Sequence, residues 1–228
     1  MGTKYERWLV AKGKMFAPGS EAVAKLVAKL IKDQWIAPES RGHAVKTVAA
    51  GEDGKEELPG EITAAWLDAS DREEVRLVWP GVPAMKYPLS IAPDGERSFA
   101  LEIHRCAEYV YPTSKHVGAL PTECACGEDL EFEWDEDELA PAFARASGIF
   151  AECEECSRTF DPFKGTATLT NPFDGSTEER AGGGAYLFGL KIACESFARD
   201  PRLAFAKELA ALVEEHFGRA FCEYGTER

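Results

Sequence analysis

The stretch Arg7-Trp-Leu-Val-Ala-Lys-Gly-Lys-Met-Phe16, then Ala17-Pro-Gly-Ser20, then Glu21-Ala-Val-Ala-Lys-Leu-Val-Ala-Lys-Leu-Ile-Lys-Asp-Gln-Trp35 decides the fold class. Its first part is apolar and extended in character and reads as a strand. The Pro18-Gly19 pair breaks that strand, and Ser20 is placed to cap the segment that follows. There Val23, Leu26, Val27, Leu30 and Ile31 recur at i, i+3, i+4, i+7 and i+8, one face of a helix that ends near Trp35. Lys25, Lys29 and Lys32 fall on the wet side of the same helix. A strand feeding an amphipathic helix requires both kinds of element in one core.

A second unit of this kind closes the chain. Residues 185–194 read as a strand with Tyr186, Phe188, Leu190 and Ile192 on one face. Asp200-Pro201 reads as a helix start, an acidic cap with proline at the first helical position. Phe205, Leu209, Leu212, Val213 and Phe217 make its stripe, Gly218 is placed to end it, and residues 220–224 form a closing strand.

Between these units, residues 43–50 read as a short strand, 51–60 as a polar turn region and 62–67 as another strand. Residues 71–79 fit a short helix or a strand equally, because Val75, Leu77 and Val78 satisfy either period. Phe99, Leu101 and Ile103 alternate with Glu102 and His104, a half-buried strand that Tyr109 and Tyr111 extend or turn. Leu130, Phe132 and Trp134 alternate with acidic residues in the same way. Asp135-Glu-Asp-Glu138 opens a short helix toward Phe143, and Asn171-Pro-Phe-Asp-Gly175 signals a turn. The expected architecture is α+β, with a mixed or antiparallel sheet, two amphipathic helices and an inserted cysteine module. Residues 1–115 form an N-terminal part, 116–164 the insertion, and 165–228 a strand–helix–strand that completes the same α+β domain.

At 228 residues and 45% hydrophobic, the chain can bury a core without help from a metal. No apolar run approaches the ~20 residues of a membrane helix, and no apolar h-region of a signal peptide follows the charged start Met1 to Arg7, so the expectation is a cytoplasmic protein with no signal peptide. The net charge of −14 is uneven. Residues 1–115 hold 16 basic against 17 acidic side chains, and residues 116–228 hold 10 against 23. An acidic second half repels a phosphate backbone, which argues against direct nucleic-acid binding. It suits a solvated surface, or a surface that steers in a cationic partner.

Seven cysteines is an odd number, and four of them fall in two close pairs: Cys124-Ala-Cys126-Gly127 and Cys153-Glu-Glu-Cys156-Ser157. Two thiolate pairs on tight turns can close a tetrahedral cage around one Zn²⁺. Disulfides are the alternative chemistry and belong to exported proteins. The remaining three, Cys106, Cys194 and Cys222, lie in apolar strand-like segments, where cysteine is a small buried hydrophobe. Gly127 relieves the turn after Cys126. The segment Cys153-x-x-Cys156-Ser-x-x-Phe160 resembles the second knuckle of zinc-ribbon modules, and Cys124-x-Cys126-Gly127 resembles a shortened first knuckle.

That resemblance covers about residues 122–161 and implies a structural zinc held by Cys124, Cys126, Cys153 and Cys156. His116 or His104 is the alternative to one of the sulfurs. Four thiolates leave no open position for a reacting water, as a catalytic zinc requires. The module departs from nucleic-acid-binding ribbons in its acidity. The window 122–140 holds nine acidic residues and no basic one.

Other constellations are weaker. Glu102, His104 and Cys106 share one face of a strand, as a metal or acid–base cluster or, more commonly, as a wet face. Tyr109, Tyr111 and His116 are candidate binding anchors or packing partners of the cysteine module. Gly182-Gly183-Gly184 precedes a strand, so it lacks the helix N-terminus of a phosphate loop. The functional expectation is an acidic zinc protein that binds a basic protein partner through Glu128, Asp129, Glu131, Glu133, Asp135 and Glu136, with neutralisation of an immunity or antitoxin kind as one form. The alternatives are a structural or adaptor subunit of a larger assembly, and an enzyme with a pocket near Glu102 and His104.

Overall fold

The computed structural model describes residues 4–11, 16–46, 54–69, 75–90, 98–110, 126–127, 134–135, 140–141, 151–153, 155–157, 159–160, 166–170, 177–181, 186–195 and 204–227. Elements run in the order β1 (Lys4–Ala11), α1 (Ser20–Lys32), β2 (His43–Lys46), β3 (Gly54–Glu57), α2 (Ala64–Leu67), β4 (Val75–Pro80) and β5 (Phe99–Val110). Then come β6 (Trp134–Asp135), β7 (Ala140–Pro141), β8 (Ala151–Glu152), β9 (Thr159–Phe160), β10 (Thr166–Thr170), β11 (Thr177–Ala181), β12 (Tyr186–Glu195), α3 (Lys207–Phe217) and β13 (Phe221–Glu227). The α+β class is as expected.

Seven strands form one sheet in the order β13-β1-β12-β5-β4-β2-β3, with every neighbouring pair antiparallel. The late strand β12 lies between β1 and β5, so an early and a late strand pair inside the sheet, while β13 forms one edge. Alternation then divides side chains between two faces. Leu9, Leu101, Ile103, Leu190 and Ile192 join Val23, Leu26, Leu30, Leu209 and Val213 of the helices in the main core. On the opposite face, Trp8, Val10, Cys106, Tyr186 and Cys222 form a second apolar cluster.

Helix α1 follows its hydrophobic period, burying Val23, Leu26, Val27 and Leu30. Its cap is Gly19, whose carbonyl accepts from the amides of Ala22 and Val23. Ser20 is therefore the first helical residue and not the cap. Its hydroxyl bonds the Asp68 carboxylate instead, tying α1 to the end of α2. Gln34, at φ 63°, turns the chain out of the helix. The helix stops at Lys32, just short of Trp35, and Trp35 itself packs into the core.

Four local expectations give way to tertiary structure. Residues 62–67 contain the short helix α2, because the Thr63 hydroxyl accepts the Trp66 amide as an N-cap. The polar region 51–60 contains β3, an exposed edge strand with no apolar alternation to reveal it. In the acidic stretch, Trp134–Asp135 pairs with Ala140–Pro141, a ladder where a helix was expected. Helix α3 begins at Lys207, after the site suggested by Asp200-Pro201. The Ala204 carbonyl accepts from Ser90, and the Ala206 amide donates to Pro88, which holds 204–206 extended against 88–90. Gly218, at φ 62°, ends α3 as expected.

Residues 75–80 resolve their ambiguity as strand β4, with Val75, Leu77 and Trp79 on the core face. Leu130, Phe132, residues 171–175 and residues 182–184 lie outside the described residues. Among the described residues, no helix is long and apolar enough to cross a membrane.

Candidate functional site

Two groups of side chains carry chemistry. The first is the cysteine centre. β8 and β9 pair as Ala151 with Phe160 and Glu152 with Thr159, which places Cys153 and Cys156 in the turn between them. The Ser157 amide donates to the Cys153 carbonyl at 2.8 Å, and Ser157 is left-handed at φ 51°. Gly127, the residue after Cys126, is also left-handed at φ 91°. Each turn thus reverses immediately after its last cysteine. Glycine takes that conformation without strain and serine does so less readily.

The Sγ atoms of Cys126, Cys153 and Cys156 all lie within 4.8 Å of one another. Between Cys126 and Cys153 the separation is 3.7 Å. Sulfurs bound at ~2.3 Å in a tetrahedron stand about 3.8 Å apart, so this spacing fits ligands of one ion. Cys153 is 2% exposed, Cys156 half-buried and Cys126 exposed. Three convergent soft donors can hold a metal ion. Cys124 lies outside the described residues, as do His116, Glu128, Asp129, Glu131, Glu133 and Glu136. Asp135 lies in β6 with its backbone opposite Ala140.

The second group is on the sheet. Glu102, His104 and Cys106 share a face of β5, as alternation requires, but this face is not wet. His104 is 4% exposed, Glu102 8% and Cys106 7%. The half-buried strand expected from Phe99 to Ile103 is buried on both sides, because β5 is central in the sheet. The Nε2–H of His104 donates to Glu102 Oε2 at 2.8 Å, and the Tyr186 hydroxyl donates to His104 Nδ1 at 3.1 Å. Lys191 lies between two carboxylates, with Nζ 2.9 Å from Glu6 Oε1 and 3.5 Å from Glu102 Oε1. Nζ also stands 5.0 Å from the centre of the Trp8 ring, which meets the His104 ring edge-on at 5.1 Å.

Register explains the assembly. Trp8, Lys191 and Glu102 are opposite one another on β1, β12 and β5, and Val10, Gly189 and His104 form the next row. Gly189 leaves the space beside His104 that Tyr186 fills; a Cβ there would stand 3.0 Å from Val10 Cγ1 and 3.4 Å from the Tyr186 ring. The pairing of β12 with β5 shifts between Tyr186 and Phe188. That irregularity puts Tyr186 in the second cluster while Phe188 joins the main core.

Burial pulls His104 below the usual imidazole range, with Lys191 and Arg76 acting the same way, against the hydrogen bond and charge of Glu102. Burial alone would raise Glu102, but His104, Lys191 and Arg76 outweigh it and hold the carboxyl at about 2. At neutral pH the pair is therefore a neutral imidazole donating to a carboxylate. Such a chain can hold a proton at His104 Nε2 and at the Tyr186 oxygen, within the sheet. With His104 engaged by Glu102 and Tyr186, it does not stand in for a cysteine ligand.

Glu6, Tyr186 and Lys191 were not singled out from the sequence as part of this group. The available signal was Lys191 itself, a charge amid the apolar run of β12. Tyr109 belongs to β5, and Tyr111 lies outside the described residues. Cys106, Cys194 and Cys222 are buried in strands, as expected. No family model matches the chain, and neither a curated protein nor a solved structure is significantly similar to it.

Proposed function

We propose that this is a zinc-binding protein that acts by binding another, basic, protein. The observation that supports it is the convergence of the Cys126, Cys153 and Cys156 sulfurs beside a window, 122–140, with nine acidic residues and no basic one. Zinc is the natural ion for thiolate donors in a reducing compartment, and Cys124 supplies the fourth sulfur. A closed thiolate site makes the zinc structural. It stiffens a segment with little apolar mass of its own, whose sequence carries the acidic residues Glu128, Asp129, Glu131, Glu133, Asp135 and Glu136.

Like-signed carboxylates at this density attract a cationic surface and repel nucleic acid. Neutralisation of a basic protein, in the manner of an immunity protein or antitoxin, is the form of action that this charge favours. The Glu102–His104 pair does not compete as a reaction centre, because its members are buried and satisfy one another.

The test is native mass spectrometry of the untagged chain isolated from its own cells. The expected species carries one zinc and a stoichiometric basic protein. In a second arm, E131K, E133K and D135K are combined and binding is measured across salt concentrations. Binding that survives this charge reversal without loss removes the proposal.

A further inference from the structure

We infer that the cysteine centre is an oxidant-labile metal site, in which hydrogen peroxide joins Cys126 to Cys153 and releases the ion. The inference rests on the metal reading above and concerns its regulation. Its basis is the grading in exposure of the three cysteines. Cys126 is exposed, Cys156 half-buried and Cys153 buried. An oxidant in solution therefore meets the Cys126 sulfur first. A second sulfur, on Cys153, already stands 3.7 Å away on the other turn, 27 positions along the chain.

The metal prepares both groups, because coordination keeps them as thiolates at neutral pH, the form that attacks peroxide. In the first step Cys126 Sγ attacks one peroxide oxygen. An S–O bond forms, the O–O bond breaks, and hydroxide leaves to take up a proton as water. In the second step Cys153 Sγ attacks the sulfur of that sulfenic acid. The S–S bond forms, the S–O bond breaks and a second water leaves after protonation. Two thiolates give up two electrons, and one peroxide accepts them to become two waters. The ion has then lost two of its ligands and dissociates. A dithiol reductant reverses the chemistry by exchange.

The other cysteines are built differently. Cys106, Cys194 and Cys222 are buried in the sheet, and burial pushes the Cys194 thiol up to about 12. A protonated, buried thiol is a poor target for peroxide. Oxidation is thereby directed to the metal centre. Cys153 and Cys156 share one turn, but neither is as open as Cys126, so the first oxidation falls across the two turns and not within one.

The experiment uses the full chain loaded with zinc alone and exposed to hydrogen peroxide. Release is followed with a chromophoric zinc indicator, and the disulfide is located by mass spectrometry of a non-reducing digest. The expected result is loss of the bound equivalent with a peptide pair joining Cys126 to Cys153, and renewed zinc binding after dithiothreitol. Zinc retained through peroxide treatment overturns the inference. So does release accompanied by a Cys153–Cys156 or Cys124–Cys126 pairing. A chain that takes up no zinc before peroxide is added removes the metal reading itself, and this inference with it.

Discussion

Glu102 and His104, two residues apart on β5, point to the same side of the sheet and share a hydrogen bond of 2.8 Å while both are buried. Burial of a lone carboxylate costs several kcal/mol, so the pair persists because its remaining valences are also used. Tyr186 closes the imidazole from one side, and Lys191 closes the carboxylate from the other and continues to Glu6. The network links β1, β12 and β5 across the face opposite the helices.

Lys191 is the cation between two buried carboxylates, so its removal leaves Glu6 and Glu102 near one another without it. Lys191→Met keeps most of the apolar stem and is expected to cost about 3–5 kcal/mol, the range for breaking a buried pair from one side. Tyr186→Phe removes only the hydroxyl donor to His104 and is expected to cost about 1–3 kcal/mol. Urea unfolding of the two variants checks both the magnitudes and their order.

Acid sensitivity follows from the same cluster. His104 binds a proton less readily folded than unfolded, so the unfolded state gains protons first as pH falls below the ordinary value of 6.5. Its contribution is present above that pH and declines below it. Glu102 is held at about 2 against an ordinary 4.5, so its contribution is intact above 4.5 and is lost as pH falls toward 2. Stability therefore falls in two stages on acidification. Each proton taken up on unfolding steepens the decline by about 1.4 kcal/mol per pH unit. His104→Gln keeps a donor for Glu102 but cannot titrate. Denaturant titrations at a series of pH values are expected to show the upper stage flattened in this variant and the lower stage retained.

Gly189 faces Val10 and His104 in the row where the Tyr186 ring lies. Gly189→Ala brings a Cβ to 3.0 Å from Val10 Cγ1 and crowds the Tyr186 ring. Strand propensity favours alanine over glycine, yet overpacking of this kind costs about 1–3 kcal/mol. A lower unfolding midpoint for Gly189→Ala is expected, with an unchanged denaturant slope.

The elements that read correctly from sequence are those whose own side chains decide them. Helix α1 carries its five apolar positions at helical spacing, and β12 carries Phe188, Leu190 and Ile192 on its core face, while Tyr186, expected beside them, is turned to the other face by the irregularity before Phe188. The misread elements are decided elsewhere in the chain. Strand β3 exists because β2 offers it a backbone ladder, and its exposed Gly-Lys-Glu-Glu has no periodicity to show. The start of α3 is delayed because residues 88–90 capture 204–206 in extended form. At the cysteine centre, the paired spacing singles out Cys124, Cys126, Cys153 and Cys156, and the structure brings the sulfurs of Cys126, Cys153 and Cys156 together, since tight turns are local. The polar network was legible only in pieces. Glu102 and His104 are visible as neighbours on a strand, but Glu6 and Lys191 join them through pairing between the two ends of the chain.

Chelation distinguishes the cysteine centre from the sheet if the centre holds an ion. The main core is built from β1, β2, β4, β5, β12, β13 and the helices, and none of the described residues between 126 and 160 is among its members. Chelation is therefore expected to leave the far-UV circular dichroism of the sheet and helices largely unchanged. The cysteine turns are expected to respond instead, since thiolates brought this close repel one another once a cation no longer offsets their charge. Cys153, now 2% exposed, becomes the sensitive reporter. In the zinc-loaded chain it should resist alkylation, and after chelation it should react at a rate approaching that of exposed Cys126. Peptide mapping after brief iodoacetamide treatment reads both sites in one experiment. Equal protection of Cys153 with and without chelator would show that packing, and not a bound ion, holds the two turns together.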